Sequence, residues 1–456
     1  MASCWLIDDQ ERPPTVAMEV AQLRGMRIDR LAFSAESQPA DVNAAASLIT
    51  ISFDRLAHLS LPAQNRLKRS VVQGTTLHVT GDFAVDQPFS LAPFAEGSIA
   101  TIAHHAANGY RLTDHPMLPA ALRNEERTLE LTMMAASNLP KSAEPLLMLR
   151  CADTVERTSV FIVRVGNGTV IYDLTPATRR MPLPAMLENA ATLPGGVGVL
   201  AAASIAWKAQ PLESRFNIVI DDRPADFDYF NGGRVLAFFR HLEHVCPGVH
   251  VDFAWTPDQS HPSRRYVAVL KSFRAGFVWH GLLRHVDHRA ITDLAAEYAA
   301  GLRLVEQVCA DYAVRFQPVM IFPFERDTPR CVDFLEQRGF LAMARTAAER
   351  RMEVEGGNLA GNFSRSLSRA GQKRFAVLER FPAERLTRER MIARAALGLP
   401  IIASCHPYDV GLVRFAALRP RARGSFAHFD SVLRFAAEKQ LRAASLEEIA
   451  QGVIEN

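Results

Sequence analysis

The stretch that most constrains what this chain can fold into is Phe216-Asn217-Ile218-Val219-Ile220-Asp221-Asp222-Arg223-Pro224. Four of its first five residues are apolar and β-prone, two adjacent carboxylates follow, and Pro224 stops the strand from continuing. A buried parallel strand reads as just such a short apolar run. Polar groups at its C-terminal end fall in the crevice where α/β folds keep their chemistry. Two like charges side by side are costly in a core, so they lie at a mouth, face a cation or share a proton. A plain solvated cap on the strand is the alternative.

Three later runs repeat the pattern. Gly276-Phe277-Val278-Trp279-His280 leads into Gly281-Leu282-Leu283-Arg284-His285-Val286-Asp287-His288. Val319-Met320-Ile321-Phe322 leads into Pro323-Phe324-Glu325-Arg326, and Pro400-Ile401-Ile402-Ala403-Ser404-Cys405 into His406-Pro407. An Asp pair, a histidine cluster, an aromatic-Pro turn and a His-Pro, in this order at strand ends, resemble the polysaccharide deacetylase family (carbohydrate esterase family 4). The resemblance spans roughly residues 210 to 450.

That resemblance implies metal-assisted hydrolysis on a distorted (β/α) barrel of about seven strands. In the family the first Asp of the pair is the general base, and the second binds the metal with two histidines. Carried over, Asp221 is the base, Asp222 a ligand and His280 the first histidine. The family spaces its histidines four apart, but position 284 is arginine here. The second imidazole is then His285 or His288, with Asp287 available to orient one of them. Zinc is the expected divalent metal. Phe324 and Arg326 correspond to the substrate-binding turn, where Arg326 either meets substrate or holds Asp221. His406 corresponds to the late histidine that protonates the leaving group, and Asp409 is a candidate to hold its proton.

A chain of 456 residues with 48 % hydrophobic content makes two or three domains with ample cores. A net charge of +3 argues for neither nucleic acid nor a membrane surface as partner. The six cysteines include no C-x-x-C pair; Cys151, Cys309, Cys331 and Cys405 read as inert core thiols. The N-terminus lacks a basic region and reaches Asp8-Asp9 early, unlike a signal peptide, and Val197–Trp207 is too short to span a bilayer. The expected location is cytoplasmic.

The first half, residues 1–207, reads as a flavodoxin-like doubly wound α/β domain. Strands are expected at Cys4–Ile7, Ser47–Phe53, Thr75–Thr80, Leu146–Leu149, Ser159–Val163 and Thr169–Tyr172, with helices at Thr15–Met26 and Leu61–Val72. Gly166-Asn167-Gly168 is a hairpin turn. The order of these elements resembles non-catalytic versions of the class I glutamine amidotransferase fold. That family's nucleophilic cysteine belongs where this chain has Gly81-Asp82, so His104 and His105 have no thiol to activate. A linker near Ala206–Arg215 separates this domain from a barrel domain over 208–456.

Residues 362–394 carry nine basic and three acidic side chains, with Phe363, Phe375 and Phe381 between them. They read as a solvated amphipathic helix pair or an electropositive rim for an anionic glycan. The expected activity is deacetylation of an N-acetylated sugar or saccharide, carried on a nucleotide or lipid, or free. The alternative is a catalytically inactive barrel that binds glycan or scaffolds polysaccharide biosynthesis. Oligomeric state is left open.

Overall fold

The computed structural model describes residues 3–7, 27–31, 46–80, 87–91, 94, 99–153, 155–175, 193–206, 214–222, 232–259, 264–286, 291–323, 329–346, 365–367, 375–407, 409–410 and 420–455. The chain divides into two compact units, Met1–Leu212 and Glu213–Asn456. The division falls five residues beyond the 207/208 boundary read from the sequence.

The first unit is built on a ten-stranded mixed sheet. Its strands are β1 (Ser3–Ile7), β2 (Arg27–Leu31), β3 (Ala46–Ser52), β4 (Thr76–Thr80), β5 (Gln87–Ser90), β6 (Ile99–Leu112), β7 (Glu126–Ser137), β8 (Ala143–Cys151), β9 (Glu156–Val165) and β10 (Gly168–Asp173). The order β2-β1-β3-β4-β10 is parallel; β9, β7, β6 and β5 continue it antiparallel, with β8 pairing β6 and β9. Leu61–Val72 is a helix with proline at its start, buries Ala63, Leu67 and Val71, and ends at Gly74 in the left-handed region, as a C-terminal cap requires. Gly166 likewise turns β9 into β10 at φ +61°. The long ribbon of β6 and β7 was not legible beforehand. Its residues His104, His105, Ala106 and Ala107 carry little strand propensity, and one face stays open to solvent. The expected helix at Thr15–Met26 and the Gly81-Asp82 turn lie outside the described residues.

The second unit is a closed parallel barrel. Its strands are β11 (Arg215–Asp222), β12 (Val251–Trp255), β13 (Gly276–His280), β14 (Phe316–Ile321), β15 (Ala342–Thr346), β16 (Arg365–Leu367), β17 (Phe375–Pro382), β18 (Ile401–Cys405) and β19 (Arg442–Ala443). Seven of them follow one another as β11-β12-β13-β14-β15-β17-β18 and close back on β11, every neighbour parallel. β16 and β19 are short additions beside β17 and β11.

Strand alternation fixes what the barrel holds. Val219, Ala254, Val278, Val319, Ala342, Ala344, Ala376, Leu378 and Ile402 pack as one cluster inside it, completed by Leu446, Ile449 and Ala450 of the last helix. Small alanines on three strands leave room for the large side chains opposite. Two residues further along β11, β13 and β17, on the same inward face, stand Asp221, His280 and Arg380.

Helix Leu446–Glu455 closes the opposite end. Its start is a capping box: Glu448 N donates to Ser445 Oγ (3.2 Å), and Ser445 N donates to Glu448 Oε2 (2.8 Å). Among the described residues, no helix is long and apolar enough to cross a membrane.

Candidate active site

Each candidate side chain is placed by a strand that must end where it does. In β11 the apolar run buries Phe216, Ile218, Val219 and Ile220, which leaves Asp221 at the C-terminal mouth of the barrel. In β13, Phe277 and Val278 are buried, and His280 ends the strand with 5 % exposure. A register shift between Val278 and Trp279 against β14 lies just before His280, an irregularity typical of strands that re-aim a side chain into a site. β18 buries Ile401 to Cys405 and delivers His406 immediately after it.

Asp221 is the centre of the charge arrangement. Its Oδ2 accepts a charged hydrogen bond from Arg380 Nη1, while its Oδ1 is buried with no hydrogen-bond partner among the described residues. Burial works against the ionised form and is the largest single influence, but the charge and hydrogen bond of Arg380, together with His280 and His406, outweigh it and hold the carboxyl below its ordinary range. Asp221 is therefore an anion near neutrality, fit to accept a proton.

His280 lies in the opposite regime. Burial drives its pKa down to about 3 in spite of the pull of Asp221. The ring is a neutral imidazole at any physiological pH, and its Nδ1 is buried without a partner among the described residues. The ring of His285 stands beside it, with centroids 5.0 Å apart. Of the two histidines left open by the sequence, His285 is thus next to His280, whereas His288 lies outside the described residues.

His406 is half exposed and faces Asp409. Its backbone N–H donates to Asp409 Oδ2 at 2.9 Å, and the same oxygen lies 3.4 Å from His406 Nδ1. The hydrogen bond with Asp409 raises the His406 pKa against the cost of burial, and the Asp221 charge adds to the rise. The three-residue spacing noted in the sequence thus closes into a contact. Cys405 beside it is buried, and burial pushes its thiol well above the usual value, consistent with an inert core residue.

The residue that sequence reasoning missed is Arg380. The basic stretch 362–394, expected to form a solvated amphipathic helix pair or an electropositive rim, is a helix from Arg388 onward, but Phe375–Pro382 is a barrel strand, and Phe375 and Phe381 are buried core residues. Arg380 is only 1 % exposed, and Arg394 is buried as well, against Glu379. Its signal was present: Phe375-Ala376-Val377-Leu378 runs into Glu379-Arg380 before Pro382, the same strand-charge-proline order as at Asp221. The role of holding Asp221, offered beforehand to Arg326, is filled by Arg380. Phe324, Arg326 and Asp287, and the side chain of Asp222, lie outside the described residues.

A divalent metal needs neutral imidazoles and carboxylates around an open position. Among the described residues, no three His, Cys, Asp or Glu side chains form a group that could hold one. Two donors nevertheless fit: His280 is neutral with an unpartnered buried nitrogen, and His285 is its ring neighbour.

No protein-family model and no curated protein matches the sequence. Among solved structures, the carbohydrate deacetylase Agd3 matches with a TM-score of 0.63 over 99 % of this chain and 87 % of that chain, at 11 % identity. A Bc1960 peptidoglycan N-acetylglucosamine deacetylase matches over 52 % of this chain and 89 % of that one, at 10 % identity and a TM-score of 0.31. Puue allantoinase matches over 54 % and 94 %, at 12 % identity and 0.35. The first likeness shows that nearly the whole chain shares the fold of that structure.

Proposed function

We propose that Glu213–Asn456 is a metal-dependent hydrolase that deacetylates an N-acetylated sugar or saccharide. The observation that carries this reading is one cluster at the C-terminal mouth of a seven-stranded parallel barrel. There a half-free carboxylate, Asp221, lies in electrostatic reach of Arg380, His280 and His406. Barrel enzymes keep their chemistry at this end. The fold shared with a carbohydrate deacetylase supports the same class.

In this reading His280, His285 and Asp222 hold one divalent ion, zinc by the character of the donors. When bound, it supplies Lewis acidity to the scissile carbonyl and acidity to a coordinated water. The chain's own residues divide the proton work. Asp221, kept ionised by Arg380, accepts a proton on its free Oδ1. His406, kept protonated by Asp409, donates one to the leaving nitrogen. Phe324 and Arg326 contribute to saccharide binding. The saccharide is soluble or carried on a nucleotide or lipid, and the protein works in the cytoplasm. Met1–Leu212 is a flavodoxin-like domain related to the glutamine amidotransferases that performs no chemistry itself.

The test is acetate release from a panel of N-acetylated mono- and oligosaccharides by chelator-stripped and zinc-reloaded protein. Release only by the reloaded form, absent in Asp221→Asn, is the expected result. A protein that takes up no metal and releases no acetate contradicts it, and a glycan-binding barrel then takes its place.

A further inference from the structure

Resting on the metal-dependent reading above, we infer that helix Leu294–Tyr312 is the template that fixes the second imidazole. Gly301 and Glu297 are positioning residues, and His285 is the histidine they deliver. The segment 281–286 between β13 and this helix contains no regular structure, yet it is held at four points.

The first hold is its own fold-back. Gly281 has φ +88°, and a Cβ there would lie 2.7 Å from the carbonyl oxygen of Arg284 and 3.2 Å from Pro323 Cγ. Only glycine lets the chain turn back on itself so tightly. Val286 N–H then donates to Arg284 O at 3.0 Å. The second hold is Asp258, after β12, whose N–H donates to Leu283 O at 3.0 Å. The third is Gly301, in the middle of a 19-residue helix where glycine is unfavourable. A Cβ at that position would lie 1.8 Å from Leu282 O and 2.9 Å from Leu282 C. The loop backbone is pressed into a notch that any side chain would fill.

The fourth hold explains the sequence departure. Arg284 stands where the four-residue spacing puts a histidine, and it pairs with Glu297, whose side chain is 12 % exposed. Glu297 and Gly301 are four apart and so share one face of the helix. That face takes the loop backbone at Leu282 and Leu283 through Gly301, draws the Arg284 side chain outward through Glu297, and leaves the next residue to turn in. The His285 ring consequently returns to within 5.0 Å of His280 across a spacing of five. Notch, ion pair and fold-back together convert the longer spacing into a workable pair of imidazoles.

The experiment is cobalt(II) titration of the full chain, read by its ligand-field absorption, with circular dichroism and a thermal midpoint to establish folding. Wild type is expected to take up one cobalt. Gly301→Ala is expected to weaken that affinity by about 10- to 100-fold and to change the spectrum, the scale at which groups supporting metal ligands act. Gly281→Ala, confined to the loop, is expected to do the same by about 10-fold and decides the matter if Gly301→Ala does not fold. His285→Ala is expected to lose cobalt. Folded Gly301→Ala and Gly281→Ala that bind with wild-type affinity and spectrum overturn the positioning role. Retention of cobalt by His285→Ala with its loss in His288→Ala overturns the choice of histidine. If wild type binds no cobalt, the metal reading fails and takes this inference with it. Wild-type binding with unaffected variants removes only the inference.

Discussion

Asp221 and Asp252 lie on neighbouring strands of one barrel and face inward at opposite ends, and they are used in opposite ways. Asp252, fully buried near the start of β12, has both oxygens doubly engaged. Oδ1 accepts from Gln317 Nε2 and from His250 Nε2, and Oδ2 accepts from Asn217 Nδ2 at 3.0 Å and from Leu446 N at 2.9 Å. Gln317 in turn accepts from Glu447 N. This network pins the start of the last helix beneath the barrel, and Gly276 leaves it space, since a Cβ there would lie 1.9 Å from Asp252 Oδ1. Asp221 has one engaged oxygen and one left over. A saturated buried acid holds a structure together; a buried acid with a spare acceptor is a cost that a fold keeps for use.

The sharpest way to break that contrast is to remove each acid. Asp221→Asn should lower turnover on the order of 10² to 10⁴ in steady-state acetate release, with some loss of stability because buried Arg380 then keeps only a neutral amide as partner. Asp252→Ala should act mainly on stability: four donors lose their acceptor, and urea denaturation should show a loss of about 3–5 kcal/mol. Turnover per folded molecule should stay within a few-fold.

Arg380→Met mixes the two behaviours. It strands a buried carboxylate, so a loss of about 3–5 kcal/mol near neutrality is expected in the same denaturation assay. Without the guanidinium, the Asp221 pKa rises, and the acidic limb of the pH–rate profile moves to higher pH. The sign follows from linkage. A carboxyl whose folded pKa is depressed contributes stability above its unfolded pKa, and loses it as pH falls through the folded value. Wild type should therefore weaken in acid more steeply than Arg380→Met.

A smaller effect isolates the proton donor. His406 has a raised pKa, so its protonated form persists above the ordinary histidine range and is lost as pH rises through the folded value. Asp409→Asn removes the main cause, and the alkaline limb should move to lower pH with little change in the plateau rate. The smallest effect belongs to the structural end. Ser445→Ala breaks the capping box and should cost about 1 kcal/mol in thermal unfolding, with no change in turnover.

How much of this was readable follows from where the information resides. Four of the seven barrel strands, β11, β13, β14 and β18, announced themselves as apolar runs because parallel strands are buried on both faces, and Asp221, His280 and His406 marked the ends of three of them; β12, β15 and β17 were not recognised. Asp409 was legible because its partner is three residues away. Arg380 was hidden by that same two-sided burial: Phe375, Val377 and Phe381 face outward into core while Ala376 and Leu378 face inward, so no alternation showed. The surrounding basic residues then suggested a surface. Apart from His250, two residues from Asp252, the Asp252 network joins residues 35 to 227 positions apart, and no local pattern encodes those links. In the first unit β1, β3, β4 and β10 were legible from their apolar runs, but β2 was not, since Arg27, Asp29 and Arg30 break its apolar pattern, nor was the ribbon of β6 and β7, because a half-exposed alanine-rich strand lacks the β-branched signature.

The most direct test sets Asp221→Asn and Asp252→Ala side by side, measuring acetate release by zinc-loaded protein and the urea midpoint of each. The account predicts a crossed result: Asp221→Asn folded and nearly inactive, Asp252→Ala destabilised yet active per folded molecule. If Asp221→Asn releases acetate at the wild-type rate while remaining folded, the mouth of the barrel is not a deacetylase site.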